Sequence, residues 1–222
     1  MATATTSLPV RTVATSLNER ERRHLEQQIR DVTFSTLCAL VQLLDLKDVT
    51  TGIHSSRLVS WAVNIAKLLG LSTEETRQIE IAAVLHDLGK IGIPDEILKK
   101  PATLTADEQT IMRKHPEYGW VVLKNIPGCQ TASLLVLHHH ETWDGQGYPA
   151  GLKGEHTPLG ARIVAITDAF DAMTSDRCYR KGVTADHALA TLEQFAGTQF
   201  DPAVVRLFAD FIRAEGLAQE FR

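Results

Sequence analysis

The chain has 222 residues, enough for one large domain or one domain with an added helix, and its 44% hydrophobic content can fill a core. A net charge of −4 and the lack of a long basic run argue against a binder of nucleic-acid polymers, which carries a basic stripe. No run approaches the roughly 20 apolar residues of a membrane span, and the first residues lack the continuous apolar core of a secretory signal.

Residues 1–17 read as a disordered lead or linker, 18–47 as an N-terminal helical segment and 48–222 as the main domain. In the helical segment a charged half, NERERRHLEQQIR, precedes an apolar half, FSTLCALVQLLDL. The charged half is a solvated face, or a stalk toward an upstream segment or a dimer partner. Three cysteines, Cys38, Cys129 and Cys178, lie far apart without a CxxC pair, the usage of a reducing cytoplasm. Cys38 falls in an apolar helical run and reads as a core residue.

After a polar break at residues 48–52, Leu58, Trp61, Ala62, Ile65, Ala66 and Leu69 recur at helical spacing. Ser72 with Glu75, and Thr105 with Glu108, have capping-box spacing and open the next two long helices. The second of these runs to His115-Pro116. A short helix follows around residues 118–124, then one over 132–140 that ends in His138, His139 and His140. Residues 141–158, with Gly145, Gly147, Pro149, Gly151 and Gly154 among them, read as a long loop, of the kind that is usually functional. Helices return over 159–174, after Thr184 and after Asp201-Pro202. No alternating strand pattern occurs, and the predicted fold is all-α.

The chain is organised around AAVLHDLGKIGIPD, residues 82–95. Residues 81–85 are apolar and lead straight into His86 and Asp87, with Lys90 one turn on. Burying an ionisable pair is costly unless something compensates it. A hydrogen bond between the two is one compensation and a bound metal ion is another. On a helix continued through this stretch, His86 and Lys90 share a face. Gly89 and Gly92 then end the helix and Pro94 prevents its renewal.

Further ligand types follow downstream. His54, His86, Asp87, His115, His139, His140 and Asp168 exceed what one tetrahedral zinc requires. They suit two octahedral ions such as Fe or Mn. Two ions in one site can clamp a phosphodiester for in-line attack, with Asp87 as the bridging carboxylate. Lys90 would neutralise a non-bridging phosphate oxygen.

These motifs, HDLGKIGIPDEIL, His115-Pro116, HHETWDGQGYP, ITDAFDAMTSDRCYR and GTQFDP, resemble the HD-GYP phosphodiesterases of the HD phosphohydrolase superfamily. The resemblance covers residues 48–208. It implies a helical HD-domain bundle with a glycine-rich GYP loop, so that residues 48–222 form the catalytic domain. It implies hydrolysis of cyclic di-GMP to pGpG, and in some members to GMP, by attack of a metal-activated hydroxide. The metal ligands it implies are His54, His86, Asp87, His115, His139, His140 and Asp168, with Asp87 and Lys90 catalytic. Substrate contacts fall to Lys90, Asp144, Gly145, Tyr148, Asp171, Arg177 and Arg180. Glu141, Gly147 and Pro149 complete the loop, which also offers a surface for a diguanylate cyclase domain. Thr50 stands where three-metal members carry glutamate, so two ions are expected, iron foremost. Thr142 replaces a common arginine. His138 is read as a neighbour of the site and His156 as exposed. Two alternatives remain: a non-catalytic module that binds cyclic di-GMP or a diguanylate cyclase, and a phosphohydrolase of another cyclic dinucleotide.

Overall fold

The computed structural model describes residues 19–47, 55–176 and 181–215. The expected lead, together with Thr50, His54, Cys178, Arg177 and Arg180, lies outside the described residues. Within them the helices are α1 Glu19–Lys47, α2 Ser55–Leu68, α3 Thr73–Leu85, α4 Asp95–Leu98 and α5 Ala106–Met112. They continue as α6 His115–Leu123, α7 Gln130–His138, α8 Leu159–Thr174, α9 Ala185–Gln194 and α10 Pro202–Ala214. Short 3-10 turns occupy Leu88–Gly92 and Gly154–His156. The only extended pairing among the described residues is an isolated parallel bridge between Ala196 and Phe200.

Local sequence sets most helix starts. Ser72 Oγ accepts from the Glu75 amide at 3.2 Å, and Glu75 Oε2 accepts from the Ser72 amide at 2.9 Å. Thr105 and Glu108 repeat the exchange at α5. Asp201 Oδ1 accepts from the Ala203 and Val204 amides, with Pro202 in the first turn of α10. A cap of this kind is worth about 1 kcal/mol.

α2, α3, α7 and α8 make the centre of the bundle, each packed on at least two of the others. α9 and α10 close one side against α8, and α6 with the first 3-10 turn closes the other. Trp61, Phe170 and Phe208 meet edge to face, with ring centroids 5.1–6.2 Å apart, and so join α2, α8 and α10. The charged half of α1 is exposed, while Phe34 packs against the core. Cys38 is half-buried rather than a core residue, and Leu69 falls past the end of α2 and is exposed.

One predicted helix is shorter than its sequence pattern. α3 stops at Leu85, with His86 as its C-cap, and Asp87 turns the chain at φ −94°, ψ 1° into the 3-10 turn. Gly89 does not act as a helix stop. A Cβ there would lie 1.8 Å from the His115 carbonyl oxygen and 2.5 Å from the Gly119 nitrogen, so the residue lets the turn lie against α6. Pro94 likewise starts the one-turn helix α4 instead of barring it.

Phe170→Ala empties the centre of the aromatic trio and is expected to cost about 3–5 kcal/mol. The measurement is the urea midpoint at unchanged slope. A loss below about 1 kcal/mol would show that the trio is not packed as described.

Candidate metal centre

Four elements deliver the ionisable residues to one place. His86 caps the C-terminus of α3 and Asp87 follows it. His115 is the first residue of α6. His139 caps α7 and His140 follows. Asp168 lies in the middle of α8.

Three of the imidazoles are fixed in the same way. Nδ1 of His86 bonds the Ala83 carbonyl at 2.9 Å, that of His115 the Met112 carbonyl at 2.9 Å, and that of His139 the Val136 carbonyl at 2.6 Å. A carbonyl only accepts, so Nδ1 carries the proton. In the neutral ring Nε2 then offers its lone pair, the arrangement by which metal-binding histidines are oriented. His115 Nε2 and His139 Nε2 face each other at 3.4 Å. Two lone pairs that close repel unless a cation lies between or beside them. Ligand atoms of His115, His139 and His140 all lie within 4.8 Å of one another. This donor set fits a divalent ion.

Asp87 joins this histidine group to a second pole. Its Oδ1 is 3.5 Å from His115 Nε2, and its Oδ2 is 3.4 Å from His86 Nε2 and 2.6 Å from Lys90 Nζ. Beyond His86, Asp168 Oδ1 stands 3.7 Å from the same nitrogen. Burial pushes the Asp87 carboxyl up, but Lys90, His86 and His115 outweigh it and hold the group well below the usual range. Burial pushes His86 down; Asp87, by charge and hydrogen bond, and then Asp168 overcome this and raise it to about 9. Burial carries His115 and His139 down, and His140 down to about 3. One pole is therefore anionic and attracts positive charge, while the other is a group of neutral imidazoles.

The glycine-rich loop covers the histidine group. Tyr148 stacks on His140 with ring centroids 5.0 Å apart, and its amide donates to the His140 carbonyl. The Arg113 guanidinium lies 5.2 Å from the Tyr148 ring, and burial raises the phenol to about 12. Glu141 pins the loop closed. Its buried carboxylate accepts from the Ala150 amide at 2.8 Å and the Leu152 amide at 3.0 Å. Gly147 passes so close to the preceding strand of chain that a Cβ would lie 2.3 Å from the Thr142 nitrogen. On the far side, the Trp143 amide donates to the Gln199 carbonyl and the Asp144 amide to the Thr198 carbonyl.

Two residues expected to touch substrate are occupied elsewhere. Asp144 Oδ1 accepts from Thr142 Oγ1 at 2.6 Å and from the Gln146 amide at 3.0 Å, so it shapes its own turn. Asp171 shares a helix face with Asp168, as its spacing implies, but it is only 3% exposed and accepts from Arg57 at 3.1 Å. His138 bonds Glu141 at 3.3 Å and His156 is exposed. Glu141 as a loop pin, Arg57 and Arg113 were not singled out from the sequence for these parts. For Glu141 a signal existed, since a carboxylate between a histidine run and a glycine-rich loop needs donors.

A family model described as HD domain matches residues 39–204. The cyclic di-GMP phosphodiesterase response regulator RpfG of Xanthomonas campestris is 45% identical over 192 residues, which cover 86% of this chain and 48% of that protein. A cyclic di-GMP phosphodiesterase of Thermotoga maritima is 39% identical, over 86% of this chain and 53% of its own length. The 3'3'-cGAMP-specific phosphodiesterase 2 of Vibrio cholerae is 36% identical, over 86% and 37%. The chain thus spans about half the length, or less, of these curated relatives. Among solved structures, the cyclic GMP-AMP phosphodiesterase V-cGAP3 of V. cholerae superposes with a TM-score of 0.65 at 19% identity, over 85% of this chain and 52% of that one. The PgpH HD domain of L. monocytogenes in complex with cyclic-di-AMP does so at 0.54 and 18%, over 80% and 94%. At these identities the superpositions speak for the fold, an all-α HD bundle. With its HDLGK stretch at the meeting of α3 and α6 and its HHETWDGQGYP stretch over the histidine group, the chain belongs to the HD domain family, in the HD-GYP branch.

Proposed function

We propose that the chain is a metal-dependent phosphodiesterase that opens cyclic di-GMP to linear pGpG, and takes pGpG on to GMP if the linear product is retained. The observation that carries this reading is Asp87, whose two oxygens face two different histidines on either side of one buried centre. That placement suits a carboxylate shared by two ions. His115, His139 and His140 with Asp87 would hold one, and His86 and Asp168 with Asp87 the other, while His54 is a further ligand that the family resemblance implies. The mixed nitrogen and oxygen set favours iron, with manganese as the alternative. When bound, such ions polarise phosphoryl oxygens and lower the pKa of water.

The protein's own groups do the rest. The carbonyl bonds hold the imidazoles ready, so that little reorganisation is left for the reaction. Lys90 places an ammonium at the edge of the centre, where a non-bridging phosphate oxygen gains charge. Gly145 and Tyr148 belong to the loop over the histidine group, where a nucleotide would enter, and Arg177 and Arg180 would meet its phosphates. Asp144 and Asp171 accept from Thr142 and from Arg57, and would meet substrate only beside those bonds.

Relatives named for 3'3'-cGAMP supply a second substrate for the same chemistry. For partners, a diguanylate cyclase domain would dock on the GYP loop, beside a groove of about 480 Å³ lined by Trp120, Val121, Leu137 and Pro149. A homodimer would form along Leu25, Ile29 and Val32, exposed at four- and three-residue spacing on α1. Phe34 packs on the core and the family match begins at residue 39, which supports reading the later part of α1 together with the catalytic body. Among the described residues no helix is long and apolar enough to cross a membrane. The free thiols of Cys38 and Cys129 agree with a cytoplasmic setting.

The test is to incubate iron- or manganese-loaded protein with cyclic di-GMP and, in parallel, with 3'3'-cGAMP, and to separate the products by chromatography. pGpG is the expected product; both substrates left intact would overturn the enzyme reading in favour of a binding module. Elemental analysis is expected to give two ions per chain, and a steady value of three would show that Thr50 does not decide the number. Asp87→Ala is expected to abolish turnover and lower bound metal together. Lys90→Ala is expected to reduce turnover far more than metal content, and equal loss of both would make Lys90 structural.

A further inference from the structure

Behind the centre, one turn along α8, lies a polar contact that the proposed chemistry does not use. Arg57 Nη2, from α2, donates to Asp171 Oδ1 at 3.1 Å and to Ser175 Oγ at 2.7 Å. Ser175 Oγ in turn lies 3.4 Å from Asp171 Oδ2, closing a three-membered network. Asp171 and Ser175 are 3% and 4% exposed. The guanidinium also lies 5.8 Å from the Trp61 ring, so α2 fixes it from its own side.

Asp171 is three residues after Asp168, and residues at that spacing share a helix face. Whatever sets the rotation of α8 at Asp171 also sets it at Asp168. Asp168 stands 3.7 Å from His86 Nε2, a separation that a small turn of α8 would lengthen. Nearer its start α8 is seated by the close approach of Gly160 to Leu135 and Ile79, where a Cβ would lie 2.6 Å and 2.8 Å away, and by the ion pair of Arg162 with Asp201 at the start of α10. Those contacts lie at the first turn of α8, whereas Arg57 holds the helix by a charge-assisted bond to a buried carboxylate one turn from Asp168.

We propose that Arg57 is a positioning residue for the Asp168 side of the centre. Through Asp171 and Ser175 it fixes the rotation of α8 against α2, and so aims the Asp168 carboxylate at the space beside His86. The proposal rests on Asp168 being a metal ligand. It goes beyond that reading in assigning a buried network outside the ligand set the task of orienting one of its members.

The test measures metal binding rather than turnover. Wild type, Arg57→Ala, Arg57→Lys and Ser175→Ala are each titrated with Mn²⁺ by calorimetry and examined by low-temperature electron paramagnetic resonance, with circular dichroism as the check on folding. Loss of a group that orients a ligand typically weakens metal binding by about 10–100-fold. That loss is expected in Arg57→Ala for one ion, with the other retained, and the spin-coupled signal of the ion pair gives way to a mononuclear one. Arg57→Lys is expected to lose less than Arg57→Ala, because an ammonium keeps a charged donor for Asp171. Wild-type affinity and a coupled signal in folded Arg57→Ala would overturn the proposal. Should that variant not fold, the same result in both Arg57→Lys and Ser175→Ala would overturn it. A wild-type protein that takes up no Mn²⁺ would instead sink the metal reading itself, and this proposal with it.

Discussion

The geometry of the centre depends on a single close approach. The 3-10 turn after Asp87 lies so near the start of α6 that a Cβ on Gly89 would overlap the His115 carbonyl oxygen. That approach brings the carboxylate after α3 to the imidazole at the start of α6, with 3.5 Å between Asp87 Oδ1 and His115 Nε2. Any side chain at position 89 would push the two apart. The ionisable groups are thus brought together by steric permission at a residue with no chemistry of its own.

Burial then divides the centre into two unlike halves. Around His139 and His140 burial outweighs the charge of Asp87, and the imidazoles stay neutral. Around His86, two carboxylates overcome the same burial and draw positive charge to that nitrogen. Asp87 is the one group that belongs to both. The result is a cluster of imidazoles that is poorly balanced without a cation, which the rest of the bundle must hold in place. The aromatic trio, the caps and the loop pin do that holding.

Much of this was legible in the sequence, for reasons that can be named. Helix starts were readable because capping residues act locally, as at Ser72, Thr105 and Asp201. The ligand candidates were readable because few residue types bind metals and their flanking motifs are specific. The end of α3 was not readable, because Gly89 answers to a helix 26 residues further on rather than to its neighbours. The partner of Asp171 was hidden for the same reason: its spacing gives the face it shares with Asp168, but the arginine that donates to it comes from α2. The turn that Asp144 shapes is a local matter, since its partners Thr142 and Gln146 lie two residues away on either side.

The backbone bonds from Trp143 and Asp144 to Gln199 and Thr198 have a bearing on how the chain can be cut. The amides at the root of the GYP loop find their acceptors in the link between α9 and α10, more than fifty residues downstream. A truncation that removed everything after α9 would leave every candidate ligand present, yet unfasten the cover over His140. The link between α9 and α10 is therefore a fastening for the glycine-rich loop, and deletion boundaries drawn only around the candidate ligand residues would miss it.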